Sequence, residues 1–135
     1  MKFTLIPENE KHSHPLTVGY RNNHGGEDFI HLDTGYDLIV LHEDFNIIAA
    51  MSYCIFPDDI SIVELRVKEE FQRQGYGTEI MKYIFEMAKN QRKRVELVCR
   101  TENTIGRNFF TKLHFKQIKN QIRYYITCDE IVRYF

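Results

Sequence analysis

Between Val63 and Thr78 the chain reads VELRVKEEFQRQGYGT, passing from a strand pattern through a charged turn into a helix. From there the periodicity is helical. Tyr76, Ile80, Ile84 and Met87 recur at the three-to-four spacing of one helix face, flanked by Met81, Phe85 and Ala88. The spacing predicts a helix from about Gly75 to Asn90, closed by Lys89, Arg92, Lys93 and Arg94 where the helix dipole favours cations. RVELVC, from Arg94 to Cys99, then reads as a strand. Strand, helix and strand in succession imply a parallel crossover, which restricts the fold to a sheet with at least one parallel pair.

The flanking sequence fills in the rest of that sheet. YDLIVL from Tyr36 to Leu41, IIAAMSYCIF from Ile47 to Phe56 and ISIVELRV from Ile60 to Val67 read as strands. They are separated by the turn-like HEDFN and Pro57-Asp58-Asp59, so the three should form an antiparallel meander. Lys2 to Ile6 reads as a first strand, and residues 7–35 as loops with at most short helical turns. Beyond the crossover, Asn103 is placed to cap a second helix running through Leu113, with Ile105, Phe109 and Leu113 on one face. Phe115 to Phe135 reads as two strands broken around Thr127-Cys128-Asp129. The expected fold class is α+β: a mixed, mostly antiparallel sheet with a central parallel βαβ unit, in a single domain spanning residues 1–135. A chain that is 43% hydrophobic, with ten phenylalanines and eight tyrosines, has material for a core without disulfides or a structural metal.

Charge and cysteine usage remove several function classes. A net charge of −1 and a pI near 6.6 give no polyanion-binding character. The run Arg92-Lys93-Arg94 reads as a solvated helix end rather than a nucleic-acid patch. Cys54, Cys99 and Cys128 are widely spaced and odd in number, which suits reduced thiols. The apolar run before Pro7 is too short for the core of a signal peptide, and no stretch reaches membrane-spanning length. The expectation is a soluble cytoplasmic protein with no nucleic-acid or membrane partner; pairing through a sheet edge leaves a homodimer open. His12-Ser13-His14 lacks convergent third and fourth ligands, so no metal is expected.

Chemistry concentrates at the turn. Gly75 and Gly77 remove side chains where a ligand would approach the backbone. The first amides of a helix have no internal partner and lie at the positive end of its dipole. Such an arrangement holds a phosphate or pyrophosphate, and Arg73 adds a cation. The turn lacks the Gly-Lys-Ser/Thr of a P-loop, and Ile80 stands where a dinucleotide fingerprint needs its third glycine.

Gln72-x-x-Gly75-x-Gly77 resembles the Gln/Arg-x-x-Gly-x-Gly/Ala signature of the GNAT superfamily, between a strand ending in valine and an amphipathic helix. That family continues to Asn-x-x-Ala-x-x-Phe-Tyr-x-Lys-x-Gly-Phe. Here the chain has Asn103-Thr-Ile-Gly106-Arg-Asn-Phe109-Phe110-Thr-Lys112-Leu-His114-Phe115. The order of elements agrees from about Tyr36 to the C-terminus, while the first third is not recognisably similar. The resemblance implies an acetyl-CoA-dependent N-acetyltransferase with no metal. The CoA pyrophosphate would rest on the turn formed by Gln72, Arg73, Gln74, Gly75, Tyr76, Gly77 and Thr78. The pantetheine arm would lie beside Leu65, Arg66 and Val67, pairing with the main chain of Leu65 and Val67, where a bulge splays this strand from the next parallel one. Asn103, Phe109 and Phe110 would lie toward the thiol end.

The implied reaction is direct transfer, in which the primary amine of a small molecule or peptide attacks the thioester while the protein holds the two in register. Glu64 is the expected base for the ammonium proton; its bland alternative is a pair with Arg66. Phe110 stands where the family has a tyrosine that protonates the thiolate, and phenylalanine has no proton to give. That departure supports an alternative, a non-catalytic acyl-CoA-binding module of the same fold. Gly106 replaces alanine, and His114 replaces glycine at a position expected to be left-handed. Tyr20, Phe29, Tyr36, Tyr53 and Phe56 line an acceptor pocket or belong to the core or an interface.

Overall fold

The structure, a computed structural model, describes residues 1–17 and 35–135. The loops expected over residues 18–34, with Tyr20 and Phe29, lie outside the described residues. The strands are β1 Lys2–Ile6, β2 Asp37–Glu43, β3 Asn46–Ile55, β4 Asp59–Val67, β5 Arg94–Val98, β6 Lys116–Gln117 and β7 Arg123–Ile126. The helices discussed below are α1 Tyr76–Gln91, α2 Thr104–Lys112 and α3 Cys128–Tyr134. Strand order in the sheet is β1-β2-β3-β4-β5-β7-β6. The residues fall into two compact units, Met1–Cys54 with Val63–Met81, and Ile55–Ile62 with Lys82–Phe135.

In the first unit β1 and β3 flank β2, both antiparallel. Burial along β2 and β3 is continuous rather than alternating, from Leu38 to Leu41 and from Ile47 to Tyr53, so both faces are covered. Ile6, Leu16, Leu38, Val40, Ile47 and Ala50 form one apolar cluster. The β2–β3 turn is tighter than the five-residue HEDFN segment suggests. Glu43 pairs with Asn46 across Asp44-Phe45, with Asp44 at φ 50°. The buried His42 ring meets Thr4 Oγ1 at 2.6 Å and the Asp44 carbonyl at 2.7 Å, beside the register shift at Leu41/His42.

In the second unit β4 and β5 run parallel, from Asp59↔Arg94 to Ile62↔Leu97, as the strand–helix–strand pattern requires. The buried rows of α1 are Ile80, Ile84 and Met81, Phe85, Ala88. Tyr76 and Met87, expected on the same face, sit half-buried at its edge. A Schellman closure ends the helix: Arg92 takes φ 55°, Arg92 N–H donates to the Lys89 carbonyl at 3.2 Å, and Lys93 N–H donates to the Ala88 carbonyl at 3.0 Å. The basic run has local partners. Lys93 Nζ donates to the Phe56 carbonyl at 2.7 Å, and Arg94 lies 3.4 Å from Glu96.

Two sequence expectations are overturned. Ile105 is not on a packed face of α2; it is 82% exposed, and the apolar burial begins at Leu113 and Phe115 beyond the helix end. The tail forms β6 and β7 but does not end as a strand, because residues 128–134 are α3. Thr127 and Glu130 form a capping box. Thr127 Oγ1 accepts from the Glu130 amide at 3.2 Å, and Glu130 Oε1 accepts from the Thr127 amide at 3.1 Å. Ile131 is fully buried, and Phe135 stacks on Phe85 at 4.4 Å.

Thr127→Ala is expected to lower stability by about 1 kcal/mol, a melting decrease of a few degrees readable by calorimetry. Burial pushes the Glu130 carboxyl up, but hydrogen bonds from Thr127 and the Lys116 ammonium at 3.1 Å outweigh it, and the net shift is downward. The resulting stabilisation is therefore present above the ordinary carboxylate range and is lost as pH falls through the lower folded value. Glu130→Gln should flatten this acid limb.

Candidate functional site

The segment from Val67 to Tyr76 is built by its own side chains. β4 ends at Val67, and Lys68 N–H donates to the Ile48 carbonyl at 2.9 Å. A single 3-10 turn, Glu69–Phe71, follows. Gln72 Nε2 then reaches back to the Val67 carbonyl at 3.0 Å, and Gln74 Nε2 to the Glu70 carbonyl at 3.3 Å. The edge of Phe71 meets Tyr76 at 6.1 Å and 83°, which anchors the helix start.

Two residues of the turn are left-handed, Arg73 at φ 64° and Gly75 at φ 88°. Successive N–H groups where right-handed and left-handed residues adjoin in a turn make anion-binding concavities. Gly75 is required by its φ and not by crowding, since a Cβ there would meet nothing within 4 Å. Glu79 N–H donates to the Gly75 carbonyl at 3.1 Å, the first helical hydrogen bond. The amides of Tyr76, Gly77 and Thr78 precede it and have no helical acceptor. Gly75 has no side chain with which to cap them. α2 and α3 behave differently, since Asn103 caps the Gly106 amide at 2.9 Å and Thr127 caps the Glu130 amide at 3.2 Å.

On β4, Glu64 and Arg66 are two residues apart and so share a strand face. Arg66 Nε lies 3.0 Å from Glu64 Oε1, and Glu64 is 24% exposed. The pairing considered from the sequence therefore exists. Val67, half-buried at the strand end, has one carbonyl lone pair occupied by Gln72.

In the second unit, Asn103 folds its side chain over the first turn of α2. This explains the glycine at 106, where a Cβ would lie 2.6 Å from Asn103 Nδ2. Phe109 and Phe110 are half-buried and meet edge-to-face at 5.1 Å; Phe110 also meets Phe115 edge-to-face at 5.5 Å. His114 takes φ 71°, the left-handed conformation expected of it, and stacks on Tyr134 at 3.7 Å and 6°. The stack offsets a backbone cost of about 1–2 kcal/mol. Arg107, passed over in the sequence reading, buries an Nε that has no hydrogen-bond partner among the described residues. Its detectable signal was the three-residue spacing to Phe110, which places both on one helix face.

The aromatic residues considered for an acceptor pocket separate. Tyr53 is core at 1% exposure, Tyr36 lies under Lys11 Nζ at 6.0 Å, and Phe56 is 50% exposed. A depression of about 430 Å3 has Phe56, Asp59, Ser61, Glu96 and Arg123 among its walls, and another of about 420 Å3 lies against Lys68, Glu69 and Glu70 at the start of the turn segment. Among the described residues no group of three or more His, Cys, Asp or Glu side chains converges as for a metal. His14 Nδ1 accepts from the Leu16 amide at 3.2 Å.

A mixed sheet with a parallel β4–β5 pair, joined through a glycine-led helix, defines an α+β protein. Residues 6–115 match the model of the Acetyltransferase (GNAT) family. The chain belongs to the GNAT acetyltransferase family. Solved structures agree in fold. Escherichia coli ElaA has TM-score 0.71 and 12% identity, over 93% of this chain and 99% of that one. The ribosomal-protein-S18-alanine N-acetyltransferase from Escherichia coli has TM-score 0.63 and 14% identity, over 94% of each chain. A mutant of the toxin AtaT, bound to the C-terminus of the antitoxin AtaR and acetyl-CoA, has TM-score 0.68 and 12% identity, over 99% of this chain and 97% of that one. At these identities the likeness is one of fold. A comparison with curated proteins found no match. No helix among the described residues is long and apolar enough to cross a membrane.

Proposed function

We propose that this protein transfers an acetyl group from acetyl-CoA directly to the primary amine of a small molecule or peptide. The observation that carries the reading is the start of α1, where three amides precede the first helical hydrogen bond behind a left-handed glycine with open space at its Cβ position. That geometry fits a pyrophosphate, with the amides of Tyr76, Gly77 and Thr78 donating and Arg73 supplying charge. Gln72 and Gln74 fix the loop by side-chain hydrogen bonds to its own carbonyls. The main chain of Leu65 and Val67, flanking Arg66, holds the pantetheine arm.

Holding thioester and amine in one geometry supplies much of the rate. Glu64 takes the ammonium proton, directly or through water, and Arg66 orients its carboxylate. Asn103, Phe109 and Phe110 shape the thiol end. Asp59 and Glu96, in the depression that Phe56 borders, are carboxylates suited to an ammonium-bearing acceptor.

Acetyl-CoA and CoA should stabilise the fold. Ligand at about 100 times its dissociation constant adds about 2.7 kcal/mol, a melting increase of several degrees. No increase with millimolar CoA removes the acyl-donor assignment. Thiol release against a panel of amines, polyamines and peptides then separates an enzyme from a second reading, an acyl-CoA-binding module. The ring cluster Phe109, Phe110 and Phe115, which carries no phenol, favours that second reading. Binding without turnover across the panel would select it.

A further inference from the structure

Within the second unit the sheet is apolar on one face and polar on the other. Ile60 on β4, Val95 on β5 and Ile126 on β7 are fully buried on the first face. Their neighbours along each strand point the opposite way. Register places Asp59 opposite Arg94, Ser61 opposite Glu96, and Val98 opposite Arg123 on the second. Phe56, Asp59, Ser61, Glu96, Val98 and Arg123 wall the depression of about 430 Å3 there, a volume in the range of small-molecule sites.

Its charges are sorted. The carboxylates lie on β4 and β5, and the arginine lies one strand further on, on β7. Asp59 is fixed by its turn, because the Phe56 amide donates to the Asp59 carbonyl at 2.8 Å. Asp59 Oδ1 also accepts from the Ser61 hydroxyl at 3.3 Å. Arg94 Nη2, 3.4 Å from Glu96 Oε2, holds the second carboxylate in place. Directly across from Arg123 stands Val98, which is 59% exposed and offers no charge. The midpoint of Asp59 and Glu96 is three residue steps and one and a half strands from Arg123, about 12 Å in the main chain. The long arginine side chain spans about half of that, which leaves about 6 Å between an acidic end and a basic end.

We propose that this depression binds a zwitterion, an amine whose carboxylate is set apart from it by a chain of several carbons. The ammonium lies between Asp59 and Glu96, beside the Ser61 hydroxyl and the Phe56 ring. The carboxylate lies on the Arg123 guanidinium, whose fork suits it. An α-amino acid carries both charges on one carbon and does not reach both ends. A diamine brings a second cation to Arg123 and is repelled. The proposal deepens the reading of this depression as the place of the ammonium-bearing acceptor and rests on it for the ligand's role. Binding itself is a property of this unit alone.

NMR titration at low ionic strength, with no acyl donor present, reads that binding. The probe is ε-aminocaproate. It is expected to bind about tenfold or more tightly than hexylamine or hexanoate, each lacking one charge, and than glycine, whose charges adjoin. Arg123→Gln should cost ε-aminocaproate about tenfold and leave hexylamine within about twofold, whereas Asp59→Asn should weaken both. With acetyl-CoA present, kcat/KM for ε-aminocaproate should fall about tenfold in Arg123→Gln while that for hexylamine holds. Equal affinities for ε-aminocaproate and hexylamine overturn the zwitterion site, and so does a preference that survives in Arg123→Gln. Neither touches the acetyl-donor assignment, which the melting increase with CoA tests separately. The expected binding pattern without acetylation of the bound zwitterion overturns its role as acceptor. If CoA fails to bind, the acetyl-transfer reading falls, and the ε-aminocaproate pattern still decides whether the site exists.

Discussion

Gly75→Glu is expected to abolish CoA binding while leaving the circular dichroism spectrum native. The glutamate carboxylate would be placed at the amides of Tyr76, Gly77 and Thr78, where it caps the helix itself and repels a pyrophosphate. Because a Cβ at position 75 meets nothing within 4 Å, the substitution causes no steric clash. Its backbone cost is that of a non-glycine residue at φ 88°, about 1–2 kcal/mol, which a folded domain tolerates. Gly75→Asn separates the two effects, since asparagine accepts the left-handed conformation without adding charge. It should retain more CoA affinity than the glutamate variant. Calorimetric titration reads both, and unchanged affinity in Gly75→Glu would place the phosphates elsewhere.

Glu64→Gln should leave acetyl-CoA binding intact and lower turnover by about a hundredfold, the range of lost general-base catalysis. The deficit should shrink as pH rises, because the free amine then forms without help from the protein. The ion pair with Arg66 at 3.0 Å supplies the competing explanation, and the pH profile separates them. A purely structural pair, about half exposed on its arginine side, contributes about 0–1 kcal/mol, so its loss would lower stability slightly and leave the profile's shape unchanged. Wild-type turnover from pH 6 to 9 in the glutamine variant would rule Glu64 out as the base.

Where sequence reading erred, local signals conflicted or were too weak to choose between partners. The tail held Ile126, Ile131, Val132, Tyr134 and Phe135, residues that favour strands. The same segment contained Thr127-x-x-Glu130, a capping box, and the cap prevailed once Ile131 was buried and Phe135 met Phe85. Likewise α1 was placed within a residue at each end and its expected Ile80, Ile84, Met81, Phe85 and Ala88 are buried, yet Tyr76 and Met87 at the ends of the expected face are only half-buried. Periodicity identifies an apolar side of a helix; the neighbours decide which rows of it are covered.

The strand, the turn, the glycine-led helix and the parallel return strand were legible in the residues alone, because each rests on propensities and backbone conformations acting over a few positions. Even the left-handed His114 could be anticipated from its place after a helix. Only the tertiary structure decided how polar side chains were used. Gln72 folds back on the Val67 carbonyl, Gln74 on the Glu70 carbonyl, Glu64 meets Arg66, and the Arg107 Nε has no partner among the described residues. Hydrogen bonds depend on tenths of an ångström and on which groups water can reach, and neither quantity exists until the chain has folded.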